Sequence, residues 1–358
     1  MTTRFQTHPA AVRPPVAPAP NDVAPARLSL RRLSLIYLLV PVALVAVAVD
    51  LLVFDGLWRD RLPRSPQGYL LLALVFGTPH IVASNIILFS TPEYLRRYRR
   101  RLLVISAAIG AFFLTVGLLA PRDLVFALIA AWTVIHVAKQ QVGIGNITAR
   151  LSGWTFQAWL WLGIGSGILY YNAIYLPRVI DGGWRRATEV VVGVVSVAVV
   201  ILTVRLLRGV SHPVGRRWVV ANGAVMALGG ALWLLGYPFV AILLPRFAHD
   251  TTAFAFYLNH DVNRARAGMS SWFHRPFDRF PFGTVLLLPV VAVGLSAVLE
   301  RAADGWVNAG LDRWFDTTVA NPVSLGVVGF LGLLHYAFES FTWGGASPYR
   351  PYVGLDLD

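Results

Sequence analysis

Five of the chain's eight histidines stand in strongly apolar surroundings. They are His80 in "FGTPHIVASN", His136 in "WTVIHVAKQQVGIGN", His249 and His260 in "LPRFAHDTTAFAFYLNHDVNR", and His335 in "LLHYAFESFTWGG". Neutral imidazole is a nitrogen donor suited to iron, copper or zinc. Ionisable groups in lipid are costly, so they are read first as functional. His8, His212 and His274 lie in a Pro/Ala-rich stretch and in basic loops, and are read as solvated surface residues. Cysteine is absent. A metal here must therefore be held by imidazole, carboxylate, carbonyl or water, with no thiolate or disulfide to draw on.

The elements that would position these histidines are membrane helices. The 358 residues are 56% hydrophobic and 14% charged, with a mean hydropathy of +0.61, outside the range of soluble domains. Apolar runs of about 20 residues recur, the length needed to cross roughly 30 Å of hydrocarbon. The pattern predicts an all-α polytopic bundle of about ten spans: 33–54, 69–90, 102–120, 123–148, 154–176, 188–207, 218–237, 239–260, 281–300 and 323–343. With both termini cytoplasmic, inner segments hold 20 arginines and outer loops 9, with Arg246 and the single lysine, Lys139, inside spans. That asymmetry is the positive-inside pattern and points to a multi-pass protein of the inner (plasma) membrane. It also accounts for the net charge of +13 without a nucleic-acid partner. Residues 1–26 have no apolar core of a signal peptide and read as a disordered cytoplasmic tail; residues 27–345 form the membrane domain and 346–358 a second cytoplasmic tail.

Depth connects the histidines. His80, His136, His249 and His335 each fall 10 to 13 residues into an even-numbered span, and all even spans run from outside to inside. At about 1.5 Å per residue their levels agree within roughly 5 Å. Four imidazoles at one level of a bundle can converge on a single ion. His260 lies eleven residues beyond His249, about 16 Å along the axis, which places His260 and Asp261 at the cytoplasmic rim as an anchor or polar entrance.

Carboxylate and amide groups surround the four. Glu339 is one helical turn from His335, and Gln140 one turn from His136. Either can orient a ring by accepting its far N–H, or ligate directly. Asp250 is adjacent to His249, with Arg246 one turn earlier to neutralise it. Lys139, Gln141, Asn85 and Asn146 add further polar atoms, and Pro79 can kink the helix that carries His80. Phe254, Phe256, Tyr257, Tyr336 and Trp343 are either simple packing or the wall of a dry pocket. These features predict a His-ligated metalloenzyme, with Glu339, Asp250 and Gln140 assisting catalysis on a lipophilic substrate. A b-type haem protein and a proton- or ion-coupled transporter using His249, Asp250, Lys139 and Glu339 are the alternatives. The haem reading lacks histidine pairs at two depths, and no internal repeat supports the transporter.

The segments "GTPH" (His80), "VIHV" (His136), "FAHD" (His249) and "LLHY" (His335) together resemble the Brp/Blh family of bacterial membrane β-carotene 15,15'-dioxygenases. The resemblance implies Fe(II) held by histidines from different spans, with dioxygen and an isoprenoid or other membrane lipid as reactants. The chain departs from the family pattern at Ala253, where a second histidine is expected. It departs again at Ser84 and at Gln140 or Gln141, where acidic residues are expected, and in having more spans.

Overall fold

The computed structural model describes residues 25–64, 77–269, 271–277, 283–319, 322–343 and 347–357. The described residues fold as a helical bundle in which three helices that bury polar side chains lie inside a jacket of helices with exposed apolar faces. After a short strand, β1 (Arg27–Ser29), come α1 (Leu30–Val53, with a 3-10 turn over Ser34–Leu38) and the short α2 (Leu57–Arg61). Then follow α3 (Thr78–Ser90), α4 (Pro92–Leu119), α5 (Arg122–Ala149) and α6 (Gly153–Tyr175). The next are α7 (Gly182–Leu207), α8 (Pro213–Leu234) and α9 (Pro238–Arg266). The last are α10 (Gly283–Arg301), α11 (Ala303–Phe315), α12 (Val328–Thr342) and the strand β2 (Gly354–Asp356).

These positions follow the predicted apolar segments to within a few residues in most cases, although α4 begins ten residues early through the basic run Arg96–Arg101. The first part of the expected span 69–90 lies outside the described residues. Crossing the membrane is a narrower matter than being helical. Among the described residues, five helices are long and apolar enough to span: 30–53, 92–117, 123–149, 182–207 and 213–234. A sixth results if α10 and α11, bent by 45°, act as one. Their faces expose aliphatic side chains such as Val194, Val197 and Ile201, each at least 60% accessible. Apolar patches of that extent mark a surface meant for lipid.

Helices α3, α9 and α12 have no such face. Eleven of the thirteen residues of α3 are buried, and α9 buries His249, Asp250, His260, Asp261 and Arg264 together. Facing protein rather than lipid, they can carry polar groups whose partners sit on neighbouring helices.

Two polar clamps set the frame. Asp50, at the end of α1, accepts from Trp58 N at 2.8 Å, Arg59 N at 2.9 Å and Tyr237 Oη at 2.7 Å. It thereby caps α2 and ties it to the start of α9. At the opposite end, β1 and β2 pair in parallel across α9. Asn263 Oδ1 accepts from Ala26 N at 2.6 Å, and its Nδ2 donates to Ala26 O at 3.0 Å and Tyr352 O at 2.9 Å. Asn259 Nδ2 donates to Ala26 O at 2.9 Å, and its Oδ1 accepts from Gly354 N at 2.9 Å. The segment expected as a C-terminal tail is therefore docked where it is described. Asn263→Ala strands Ala26 N and Tyr352 O, at about 1–3 kcal/mol. Limited trypsinolysis should then cut faster after Arg27, Arg31 and Arg32, read by mass spectrometry; an unchanged rate would refute the clamp.

Candidate metal centre

The four histidines predicted at mid-span meet inside the bundle. Helix α3 supplies His80, α5 His136, α9 His249 and α12 His335, and the rings form a closed four-membered circuit. Ring centroids are 4.9 Å apart for His80–His249, 5.1 Å for His249–His136, 5.0 Å for His136–His335 and 4.8 Å for His335–His80. Each neighbouring pair meets edge-on, at 68° to 89°. His80, His249 and His335 are buried to 3% exposure or less.

Local chain geometry aims these rings. Gly77 adopts φ +90°, a left-handed conformation that favours glycine. Its turn lets α3 begin with Pro79 in the first turn, where the missing N–H costs nothing. A Cβ on Gly77 would also collide with the Arg246 guanidinium. Gly77 N donates to Asp250 Oδ2 at 2.5 Å, so the start of α3 is fastened to α9 beside the centre.

Hydrogen bonding assigns which ring nitrogens face inward. His80 Nδ1 lies 2.9 Å from Asp250 Oδ1, although off the ideal N–H line. A bare nitrogen lone pair would repel a carboxylate at that distance, so the proton sits on Nδ1 and Nε2 is free. That Nε2 is 3.3 Å from His249 Nε2. Ser84 Oγ donates to Ile81 O at 3.0 Å and contacts His335 Nδ1 at 2.5 Å. With its own proton spent, Ser84 accepts from His335 Nδ1–H and leaves His335 Nε2 bare. Nε2 of His335 is buried with no hydrogen-bond partner, whereas Nε2 of His136 faces the Glu339 carboxylate. Bare nitrogens gathered at one point are what a cation requires, and orphaned buried acceptors are otherwise rare. His80, His249 and His335 offer ligand atoms within 4.8 Å of one another, as do His136, His335 and Glu339.

Glu339 closes the remaining side. Its Oε2 is 3.3 Å from His136 Nε2 and 3.9 Å from His335 Nε2. Tyr257 Oη donates to Oε1 at 2.6 Å and Gln140 Nε2 to Oε2 at 2.8 Å. Several expected pairings are thus redrawn. Gln140 orients Glu339 rather than His136. Glu339 lies nearer His136 than the His335 on its own helix. Asp250, expected to serve His249, is 3.9 Å from it and a full ångström closer to His80. Adjacent residues on a helix point about 100° apart, so chain neighbours seldom share a target. Ser84, read only as a missing acid, is the contact of His335. The signal was its place one turn after His80 on the same face.

Other predicted polar residues stand away from the centre. Gln141 accepts from Tyr37 Oη at 2.7 Å, Asn146 closes the C-terminus of α5 against Leu151, and Asn85 Nδ2 donates to Ile81 O and Leu331 O. Among the aromatics, Tyr336 stacks on His136 at 4.3 Å and its hydroxyl contacts Thr133 at 2.9 Å. Tyr336 and Trp343 line a cavity of about 560 Å³ that reaches His136 and Glu339. Phe256 packs edge-on against Trp343, and Phe254 against Tyr257.

The second His-Asp pair belongs to a separate buried network. His260 Nε2 is 2.5 Å from Tyr94 Oη, its Nδ1 is 2.9 Å from Asp261, and its ring stacks on Tyr349 at 4.2 Å. His274, expected in solvent, is only 4% exposed, with Nε2 3.6 Å from Asp261 and Nδ1 3.0 Å from Ser271 Oγ. The loop folds back onto α9 to shield Asp261, which a basic loop composition conceals. His212 is half-buried before α8, and His8 lies outside the described residues.

A haem does not suit this arrangement. Axial histidines must face each other across a macrocycle, yet every ring here has two neighbours within about 5 Å. The other two imidazoles would occupy the macrocycle's own plane. No family model, curated protein or solved structure matches the chain, so the site itself carries the functional reading.

Proposed function

We propose that this protein is an integral-membrane metalloenzyme that holds one transition-metal ion through His80, His136, His249 and His335. The observation that carries the reading is the closed circuit of four imidazoles, with the inward nitrogens of His80 and His335 left bare by Asp250 and Ser84. An all-nitrogen set with one adjacent carboxylate suits iron, with other His-ligated metals as the competing occupants. The reaction class is oxygenation of a lipophilic substrate, and a bound iron supplies the activation of dioxygen.

The chain's own residues perform the rest. Asp250 holds the His80 tautomer while being held by Gly77 N, and Ser84 does the same for His335. Glu339 is kept as an acceptor by Tyr257 and Gln140, with Oε2 turned to the centre, where it either ligates or takes up a proton. The apolar cavity beside His136 and Tyr336 admits the substrate and excludes water. The ten-crossing arrangement, both termini cytoplasmic in the inner membrane, belongs to this proposal: α6 joins the six apolar candidates, and α3, α9 and α12 complete the spans among them.

Elemental analysis of the purified full-length protein tests the reading. About one iron per chain is expected. Transition metal at background level defeats the centre, and stoichiometric zinc without iron defeats the oxygenase.

A further inference from the structure

The cavity beside the centre has an unexplained electrostatic character. Its walls are mostly apolar, built from Trp132, Ile135, Ile144, Ile147, Val353 and Leu355. Two cations, Lys139 and Arg350, also line it. They come from α5 and from the docked C-terminal segment, more than 200 residues apart in the chain. Among the described residues neither has a carboxylate within ion-pairing distance. The Lys139 ammonium rests instead over the Trp161 ring at 4.9 Å. Glu339, the acid in the same cavity, is already engaged by Tyr257, Gln140 and His136.

Lys139 is the chain's single lysine and stands well inside a candidate span, 123–149; like Arg350 it is exposed, so both cations are open to a ligand. A cation so placed is costly unless something compensates it. The volume of about 560 Å³ is in the range of clefts that take a small-molecule ligand. A pure hydrocarbon would fill the apolar walls and leave both cations without an anion, Lys139 having only the Trp161 ring face.

We propose that the cavity binds a single-chain amphiphile with an acidic head: its chain lies along α5 and α12 towards His136 and Glu339, and its carboxylate or phosphate sits between Lys139 and Arg350. This names the substrate class of the site proposed above and rests on that reading for the reaction alone; binding itself needs no metal.

The test uses the full-length protein in discs of neutral lipid, stripped of metal with a chelator, and two probes of equal chain length: oleate and uncharged oleyl alcohol. Saturable binding of about one oleate per chain is expected, with the alcohol about tenfold weaker or worse, as losing a charge-assisted contact implies. K139Q and R350Q should each weaken oleate about tenfold without moving the alcohol, and K139R and R350K should restore it. Restoration by charge separates recognition from misfolding. Equal affinity for acid and alcohol overturns the proposal, as does oleate binding that both glutamine variants leave unchanged. Displacement of oleate by an equimolar two-chain phosphatidylglycerol also overturns it, since the cations would then hold a bilayer headgroup. Oleate binding in a protein that never takes up metal would sink the oxygenase and leave this site standing.

Discussion

His335→Ala protein should purify with less than about a tenth of the transition metal carried by the unaltered chain. His335 is fully buried, and its Nδ1 is fixed by Ser84 at 2.5 Å, so its Nε2 is held in one direction. It is also the histidine common to both candidate ligand groups. Removing it breaks the circuit on two edges, towards His80 and towards His136. Three imidazoles remain, but they retain no enforced geometry across the gap, and affinity depends on ligand count and geometry together. His260→Gln is the matched control. It removes an equally buried imidazole from the same helix bundle, but one bound to Tyr94 and Asp261, and it should keep full occupancy. Metal retained in His335→Ala, or lost equally in both variants, would overturn the assignment. Equal loss would mean that occupancy follows general folding and not ligation.

Asp250→Asn is expected to weaken metal binding about 10- to 100-fold, the usual cost of removing the group that orients a ligating histidine. The carboxylate accepts from Gly77 N with one oxygen and faces His80 Nδ1 with the other. An asparagine has a single acceptor oxygen, so its amide N–H₂ must face one of those two donors. If it faces the ring, the His80 proton is driven to Nε2, which points at His249, and one inward lone pair is lost. The substitution also removes a negative charge that acts on Arg246, one turn away on α9 and against Gly77. Competition against a chelator of known affinity measures the change. A shift smaller than about twofold would show that Asp250 serves only the packing of α3 on α9. A combined loss of metal and of thermal stability in detergent would place its weight on Arg246, and Asp250→Glu separates the two by keeping the charge while moving the acceptor.

Much of the helix pattern could be read from the chain because its cause is local: apolar run length and helix rise apply wherever the segment ends up. The shared level of His80, His136, His249 and His335 followed from counting residues at a constant rise, and the four rings do meet. Partners were less legible. Asp250 was paired with His249 by adjacency, and Gln140 with His136 by helical spacing, whereas Asp250 faces His80 and Gln140 faces Glu339. Which face of one helix meets which face of another depends on axial rotation, and no single helix encodes that. Composition also misjudged His274, because burial of a loop is decided by what the loop folds onto.

Taken alone, the amino-acid sequence determined the helical class, the positions of the apolar segments and the common depth of four histidines. Each of these depends on repeat distance and hydrophobicity within one segment. Only the tertiary structure decided that α3, α9 and α12 lie inside the bundle, that Ser84 and Asp250 expose the inward nitrogens, and that Lys139 and Arg350 share one cavity. Those are relations between side chains distant in sequence, set by how the helices rotate and cross when they bury their polar faces against one another.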